Sequence, residues 1–388
     1  MIYFYWIAGA VLALTWFFHL VDAAIGMPKI TDVSVPEWDL KPAGTPSVSI
    51  IVPARNEEEQ VGEALTKLLQ LEYENYEVIA VNDRSTDRTG ELMNEVAKGP
   101  AARGRLKVLH LRELPPQWLG KTHAMWRAAR ESSSDWLLFT DADVMFKPDA
   151  LRRAIAYAES ERADHVVLFP TMIMKRAGER MMVAFFQTLF VFGHRPWKVA
   201  DPKTKDTMGV GAFNLVRRRV YEQVGTYERL RLEVLDDMKL GKVVKEGGFA
   251  QRCVFGAGLI SIYWARGALG IVRNLTKNFF AVLSFQWPRA LASAVALGFL
   301  NLFPFLGLWL AHGWARLPYG IALASMFLIY AGMSRRSSIP PYYFILHPVS
   351  TVLFVYTVLL STFVTTRNGG VQWRGTFYPL EELKRGLV

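Results

Sequence analysis

The chain opens on a nearly unbroken apolar run, Ile2 to Ala24, and no other stretch restricts its fold so strongly. A run of this length can cross a bilayer as a helix. No basic segment precedes it, and no small-x-small cleavage site follows a short apolar core. It is therefore expected to be an uncleaved anchor rather than a signal peptide. Past Arg266 the apolar character returns. Gly270 to Phe285 carries Arg273, Lys277 and Asn278 among apolar residues, the pattern of a helix lying in the membrane interface. Ala290 to Leu310, Pro318 to Met333 and Tyr342 to Val364 then read as three spans, the middle one short. Helices buried in a soluble domain are the competing reading, which hydropathy disfavours. An integral protein of the cell (plasma) membrane is expected.

Between these segments the pattern is that of an α/β protein. Val48 to Val52, Glu77 to Val81, Leu106 to Leu111 and Asp135 to Thr140 are strand-like, while Glu57 to Leu71 and Thr89 to Ala97 are helical. Strands alternating with helices imply a parallel sheet covered on its faces. Ligands of such sheets sit beyond the carboxyl ends of the strands, where Asn56, Asp83 and Asp141 all fall. The chain thus divides into an anchor (1–25), a Pro-rich linker (26–46), an α/β domain (47–266), an interfacial helix (267–288), membrane helices (289–366) and a tail (367–388). The formal charge of +10 suits an anionic membrane surface or substrate. Its basic residues are not gathered into a tail, so no nucleic-acid partner is expected. The single cysteine, Cys253, excludes an internal disulfide and a cysteine-rich zinc site.

Four clusters carry the chemistry. The apolar strand Trp136 to Thr140 ends in Asp141-Ala142-Asp143. Two carboxylates this close repel unless a cation lies between them or one is protonated. Oxygen ligands of this kind suit Mg²⁺ or Mn²⁺ held jointly with substrate phosphates. Taken alone, the pair is also readable as a solvated acidic turn. Pro53-Ala54-Arg55-Asn56-Glu57 turns a strand into a helix. Asn82-Asp83-Arg84-Ser85 offers Asp83 to a base or ribose, and Gly120-Lys121 offers a cation to phosphate.

In this order the clusters resemble the family 2 glycosyltransferases of GT-A fold, over roughly Ser47 to Ala265. The resemblance implies a nucleotide-diphospho-sugar transferase domain with a mostly parallel sheet, flanked here by N- and C-terminal transmembrane helices. It implies that Pro53, Ala54, Asn56, Glu57 and Asp83 line the nucleotide pocket and that Lys121 lies near the diphosphate. Asp141 would sit nearer the ribose and Asp143 on the metal. Met208 to Asn214 is similar to the family's acceptor loop, through Gly209 and Gly211. Leu235-Asp236-Asp237 is similar to its E-D-x-x-L motif, with Asp in place of Glu at 236 and the catalytic base at Asp237. As a bare pattern, two acids opening a helix only stabilise its N-terminus.

The implied reaction is an inverting transfer from a nucleotide sugar, a UDP-sugar by expectation, to a hydroxyl or carboxyl of a membrane lipid. The flanking layout resembles the ceramide-glucosyltransferase-like and hopanoid- or carotenoid-associated branches. Gln286-Trp287-Pro288-Arg289-Ala290 lacks the final Trp of the processive synthases' Q-x-x-R-W, which disfavours a polysaccharide synthase. A non-catalytic membrane scaffold is the other alternative. Trp373-Arg374-Gly375 with Tyr378 resembles a hopene-associated tail, and equally reads as aromatic anchors at the membrane surface. With a cytoplasmic catalytic domain, Arg335-Arg336 fit the inside. Three spans would then export a tail whose Arg367, Arg374, Lys384 and Arg385 favour the inside. One segment is therefore re-entrant or interfacial, or the tail lies apart from the active site.

Overall fold

The computed structural model describes residues 2–42, 44–102 and 104–388. The chain forms two compact units. One comprises Ile30–Ile173, Pro196–Tyr263 and Gln372–Val388, and the other Met1–Lys29, Met174–Arg195 and Trp264–Val371.

The first unit is built on a seven-stranded sheet: β1 Val48–Ala54, β2 Tyr76–Asp83, β3 Leu106–Leu111, β4 Trp136–Phe139, β5 His165–Leu168, β6 Asn214–Arg217 and β7 Gln251–Val254. Their spatial order is β3-β2-β1-β4-β6-β5-β7. Only β6 runs against the rest. Every residue of β1 and β4 is buried, as continuous apolar strands covered on both faces must be. The order reverses between β1 and β4, because the chain steps outward through β2 and β3 and then returns to the far side of β1. Loops at such a reversal splay apart and leave room for a ligand.

Several boundaries differ from expectation. The helix foreseen from Glu57 begins only at Val61. Asn56 is left-handed (φ 54°), and the N–H groups of Glu57 and Glu58 are taken by Thr89 Oγ1 (2.8 Å) and Asp87 Oδ2 (3.2 Å), so helical bonding starts later. The expected linker is packed onto this unit. Asp32 bridges to Phe255, and Arg153 donates to the Val35 carbonyl at 2.9 Å and pairs with Asp39 at 3.2 Å. The stretch 174–195, assigned to the α/β domain, falls in the other unit, while the tail from Gln372 belongs to the unit that holds the sheet.

The second unit is helical: Ile2–Gly26, Ala177–His194, Gly267–Val282, Trp287–Asn301, Phe303–Leu310, Leu317–Ser337 and His347–Asn368. Three of its segments are long and apolar enough to cross a membrane, 3–29, 313–337 and 341–368. The stretch expected as one span from Ala290 to Leu310 is two helices bent by 48° at Leu302, with Pro304 in the first turn of the second. Tyr319 Oη donates to the Tyr5 carbonyl at 2.8 Å. Farther along, Leu12 and Trp16 share an apolar cluster with Met326 and Ile329. The N-terminal helix and Leu317–Ser337 therefore run parallel.

Candidate active site

The loops at the β1/β4 reversal bring the sequence-predicted residues together. Pro53 and Ala54 are buried within β1, opposite Val81 and Asn82, and contribute backbone and shape. Asn56 fastens the β1 loop to the β2 loop: its Oδ1 accepts from Thr86 N at 2.9 Å, and its N–H donates to Ser85 Oγ at 3.1 Å. Asp83, only 3% exposed, accepts from Arg84 Nε at 2.7 Å and Nη2 at 3.0 Å. Each Asp83 oxygen keeps a second lone pair that a base or ribose can meet. A side chain at Gly120 would strike the Asp83 carboxylate, so glycine lets the helix Gly120–Arg130 start against it.

Lys121, on that helix, reaches Asp141 Oδ1 at 2.8 Å and Asp236 Oδ2 at 3.2 Å. Burial alone would depress its ammonium, but Asp141, Asp236 and Asp237 hold it above the ordinary lysine range. Asp237 sits in the first turn of the helix Asp236–Glu246. Its Oδ1 accepts from Met238 N at 2.8 Å, and its Oδ2 accepts from Gly211 N at 2.7 Å. It therefore stabilises its own helix start and also faces the site. Gly211 in turn accepts from Asp141 N at 3.1 Å, and a Cβ there would lie 2.6 Å from Asp141 Oδ2 and 3.5 Å from Asp237 Oδ2. At Gly209 a Cβ would meet the Asp237 carbonyl, so Gly209 is required by close approach to the helix, whereas Gly211 makes room for the Asp141 carboxylate.

The site holds more negative charge than it neutralises. Burial first, then Asp141 and Glu57, push the Asp143 carboxyl up to about 7. Burial also raises Asp236 and Asp237, against the opposing effect of Lys121. Glu57 is raised by burial although it pairs with Arg374.

Two groups of residues were not anticipated. His165, Asn214 and Gln251 form a buried chain behind the acceptor loop. His165 bonds Asn214, Asn214 Nδ2 donates to the Asp237 carbonyl at 3.3 Å, and Gln251 meets His165 Nδ1 at 2.7 Å. Gln251 also accepts from Met208 N at 3.0 Å. Burial holds His165 neutral, at about 4. The sequence signal was a polar residue opening each of three short strands, with Asn214 also closing the acceptor-loop segment. The second group is the tail. The hairpin of β8 Gly370–Trp373 and β9 Thr376–Pro379 places Arg374 on Glu57 and on the Arg55 carbonyl (2.9 Å), and Tyr378 Oη on the Gly120 N–H at 3.1 Å. The tail's aromatic-anchor reading does not hold for Tyr378, which is buried in this unit.

A mostly parallel sheet with an acidic D-x-D at its reversal point defines the GT-A class of nucleotide-diphospho-sugar transferases. Residues 49–225 match the family model described as Glycosyl transferase family 2, and that segment is a glycosyltransferase domain of the family. Over 344 residues, 87% of this chain and 89% of the relative, it is 24% identical to a 4,4'-diaponeurosporenoate glycosyltransferase of Staphylococcus aureus strain RF122. The strain MRSA252 protein is 23% identical over the same span. Among solved structures it is similar to the mannosyltransferase PcManGT of Pyrobaculum calidifontis, in complex with GDP-Man and Mn²⁺. There the TM-score is 0.52 at 18% identity, over 92% of this chain and 99% of that one.

Proposed function

We propose that the protein inverts configuration as it moves a sugar from a nucleotide-diphosphate donor to a hydroxyl or carboxyl of a long apolar membrane lipid. The observation that carries this reading is the Gly211 bridge, which ties the Asp237 carboxylate to the D-x-D through one backbone unit. The lipid acceptor rests on the acceptor named for the Staphylococcus relatives and on the three apolar helices. UDP- and GDP-sugars are both candidate donors, the latter because the Pyrobaculum neighbour binds GDP-Man. Nucleotide sugars are cytosolic, so this reading sets the sheet unit in the cytoplasm.

Asp237 is placed to take the proton of an acceptor hydroxyl as its oxygen attacks the anomeric carbon. The bond from that carbon to the diphosphate oxygen breaks on the opposite face, and one displacement inverts the configuration. Gly211 N–H and Met238 N–H fix the Asp237 carboxylate, while Lys121 favours its ionised form. Asp143 and Asp141 fit a hard divalent ion: both are oxygen donors, and Asp143 is raised by burial and then by the charge of Asp141 and Glu57, even with Lys121 paired to Asp141. Among the described residues no group of three or more His, Cys, Asp or Glu side chains could hold a metal alone. Such a pair suits Mg²⁺ or Mn²⁺ that completes its shell with water and donor phosphates. When bound, the ion would offset negative charge on the leaving diphosphate.

Asp237→Asn should lower kcat for a hydroxyl acceptor by about 10²–10⁴-fold, the usual worth of a positioned base. Nucleotide binding should stay close to wild type, while stability falls by about 1–3 kcal/mol because the Asn side chain cannot accept from both Gly211 N–H and Met238 N–H. A carboxylate acceptor arrives ionised and should be far less affected. Full activity of the variant on hydroxyl acceptors removes Asp237 from the role.

A further inference from the structure

The C-terminal hairpin lies on the donor side of the site. Its turn residues Arg374 and Gly375 are both left-handed, with φ of 49° and 77°. Two-residue hairpin loops of this kind ordinarily take Asn-Gly or Asp-Gly, because an L side chain without a short polar group is disfavoured there. An arginine kept at such a position points to a function for its side chain. The guanidinium donates to the carbonyls of Arg55 (2.9 Å) and Asn56 (3.4 Å) and pairs with Glu57. It belongs to a cationic group. Arg55 Nη1 donates to Thr376 Oγ1 at 2.7 Å, and Arg84 and the Gly120 N–H both meet the Tyr378 hydroxyl. The buried Arg55 Nε has no hydrogen-bond partner among the described residues.

Three guanidiniums converging on one rim repel each other. Burial and Arg84 hold Arg55 below its ordinary range, and Arg374 adds to that effect. Arg374 also acts on Asp143 electrostatically, lowering its carboxyl against the larger effect of burial. An anion with several oxygens would relieve the repulsion and give Arg55 Nε an acceptor. Planar guanidinium forks match phosphate oxygens. We propose that the C-terminal hairpin completes the donor site, with Arg374 leaving Glu57 to bind the donor's diphosphate alongside Arg55 and Arg84. This deepens the glycosyl-transfer reading and rests on it.

The test is titration of the full-length protein in detergent with UDP, GDP, UMP and GMP, each with Mn²⁺. The variant is Arg374→Asn, which keeps the left-handed turn. The diphosphate bound by wild type should lose about tenfold or more in affinity in the variant, and the matching monophosphate less than threefold, with an unchanged melting temperature. Arg374→Lys should recover part of the loss. Equal affinity of wild type and variant for the diphosphate overturns the inference alone, as does an equal loss for both nucleotides. If neither diphosphate binds wild type, the donor reading falls and takes this inference with it.

Discussion

Lys121 sets the ionisation of the carboxylates around it. It lies 2.8 Å from Asp141 and 3.2 Å from Asp236, and it lowers the pKa of Asp236 and Asp237 against the effect of burial. A base must be ionised to accept a proton, so activity should rise with pH through the folded-state pKa of Asp237, which lies above the ordinary carboxylate range. Lys121→Met removes a cation that favours the ionised form, so the acidic limb of kcat/KM against pH should move upward by about 1 unit. An unmoved or lowered limb would show that Lys121 does not govern the base. The acidic residues were legible in the sequence because polar groups at the ends of apolar strands are conspicuous. Their cationic partners were less so. Lys121 was expected near the diphosphate and is found between two carboxylates, and Arg374 pairs with Glu57 across 317 positions, which no local pattern encodes.

At the scale of elements, the acceptor loop owes its shape to side chains behind it. Gln251 binds Met208 through its carbonyl and its amide, and the His165–Asn214 pair ties β5 and β6 to the Asp237 helix. Gln251→Leu leaves the Met208 N–H and His165 Nδ1 without this buried partner. It should cost about 1–3 kcal/mol of stability and lower kcat with little change in donor affinity. Chemical denaturation and steady-state kinetics read the two effects separately, and unchanged kcat in a destabilised variant would make the network purely structural. The strands were legible from continuous apolar runs. The late start of helix Val61–Leu68 was not, because the N–H groups of Glu57 and Glu58 are spent on side chains about thirty residues away. The break at Leu302 did carry a signal, Pro304, which an unbroken apolar run obscured.

At the scale of the whole chain, the proposed membrane placement predicts the parity of crossings. Gln372–Val388 belongs to the same unit as the sheet, so on that reading the chain from Trp264 to Val371 crosses an even number of times. The N-terminal helix leads directly into Ile30 of that unit, so on the same reading its Gly26 end is expected on the catalytic side. Leu317–Ser337 runs parallel to it, which sets Arg335 and Arg336 on that side too, as positive charges prefer. Reaching Leu317 from the far side requires that the bent pair 287–310 act as one broken span. On that reading the segment 341–368, although long and apolar enough to span, contributes no net crossing. Its His347 lies against Asn301 at the end of one helix, and Thr366 lies against Trp287 at the start of the same helix. Its helix His347–Asn368 is unbroken and antiparallel to Trp287–Asn301, and its buried His347, Ser350, Thr351, Thr357, Ser361 and Thr362 suit packing against protein rather than lipid. The native Cys253 is buried, so single cysteines can report on topology. In intact cells a membrane-impermeant maleimide should label His312→Cys from outside, and should label Ser338→Cys only after permeabilisation. The opposite pattern would make 341–368 a full span and place the bent pair wholly on one side.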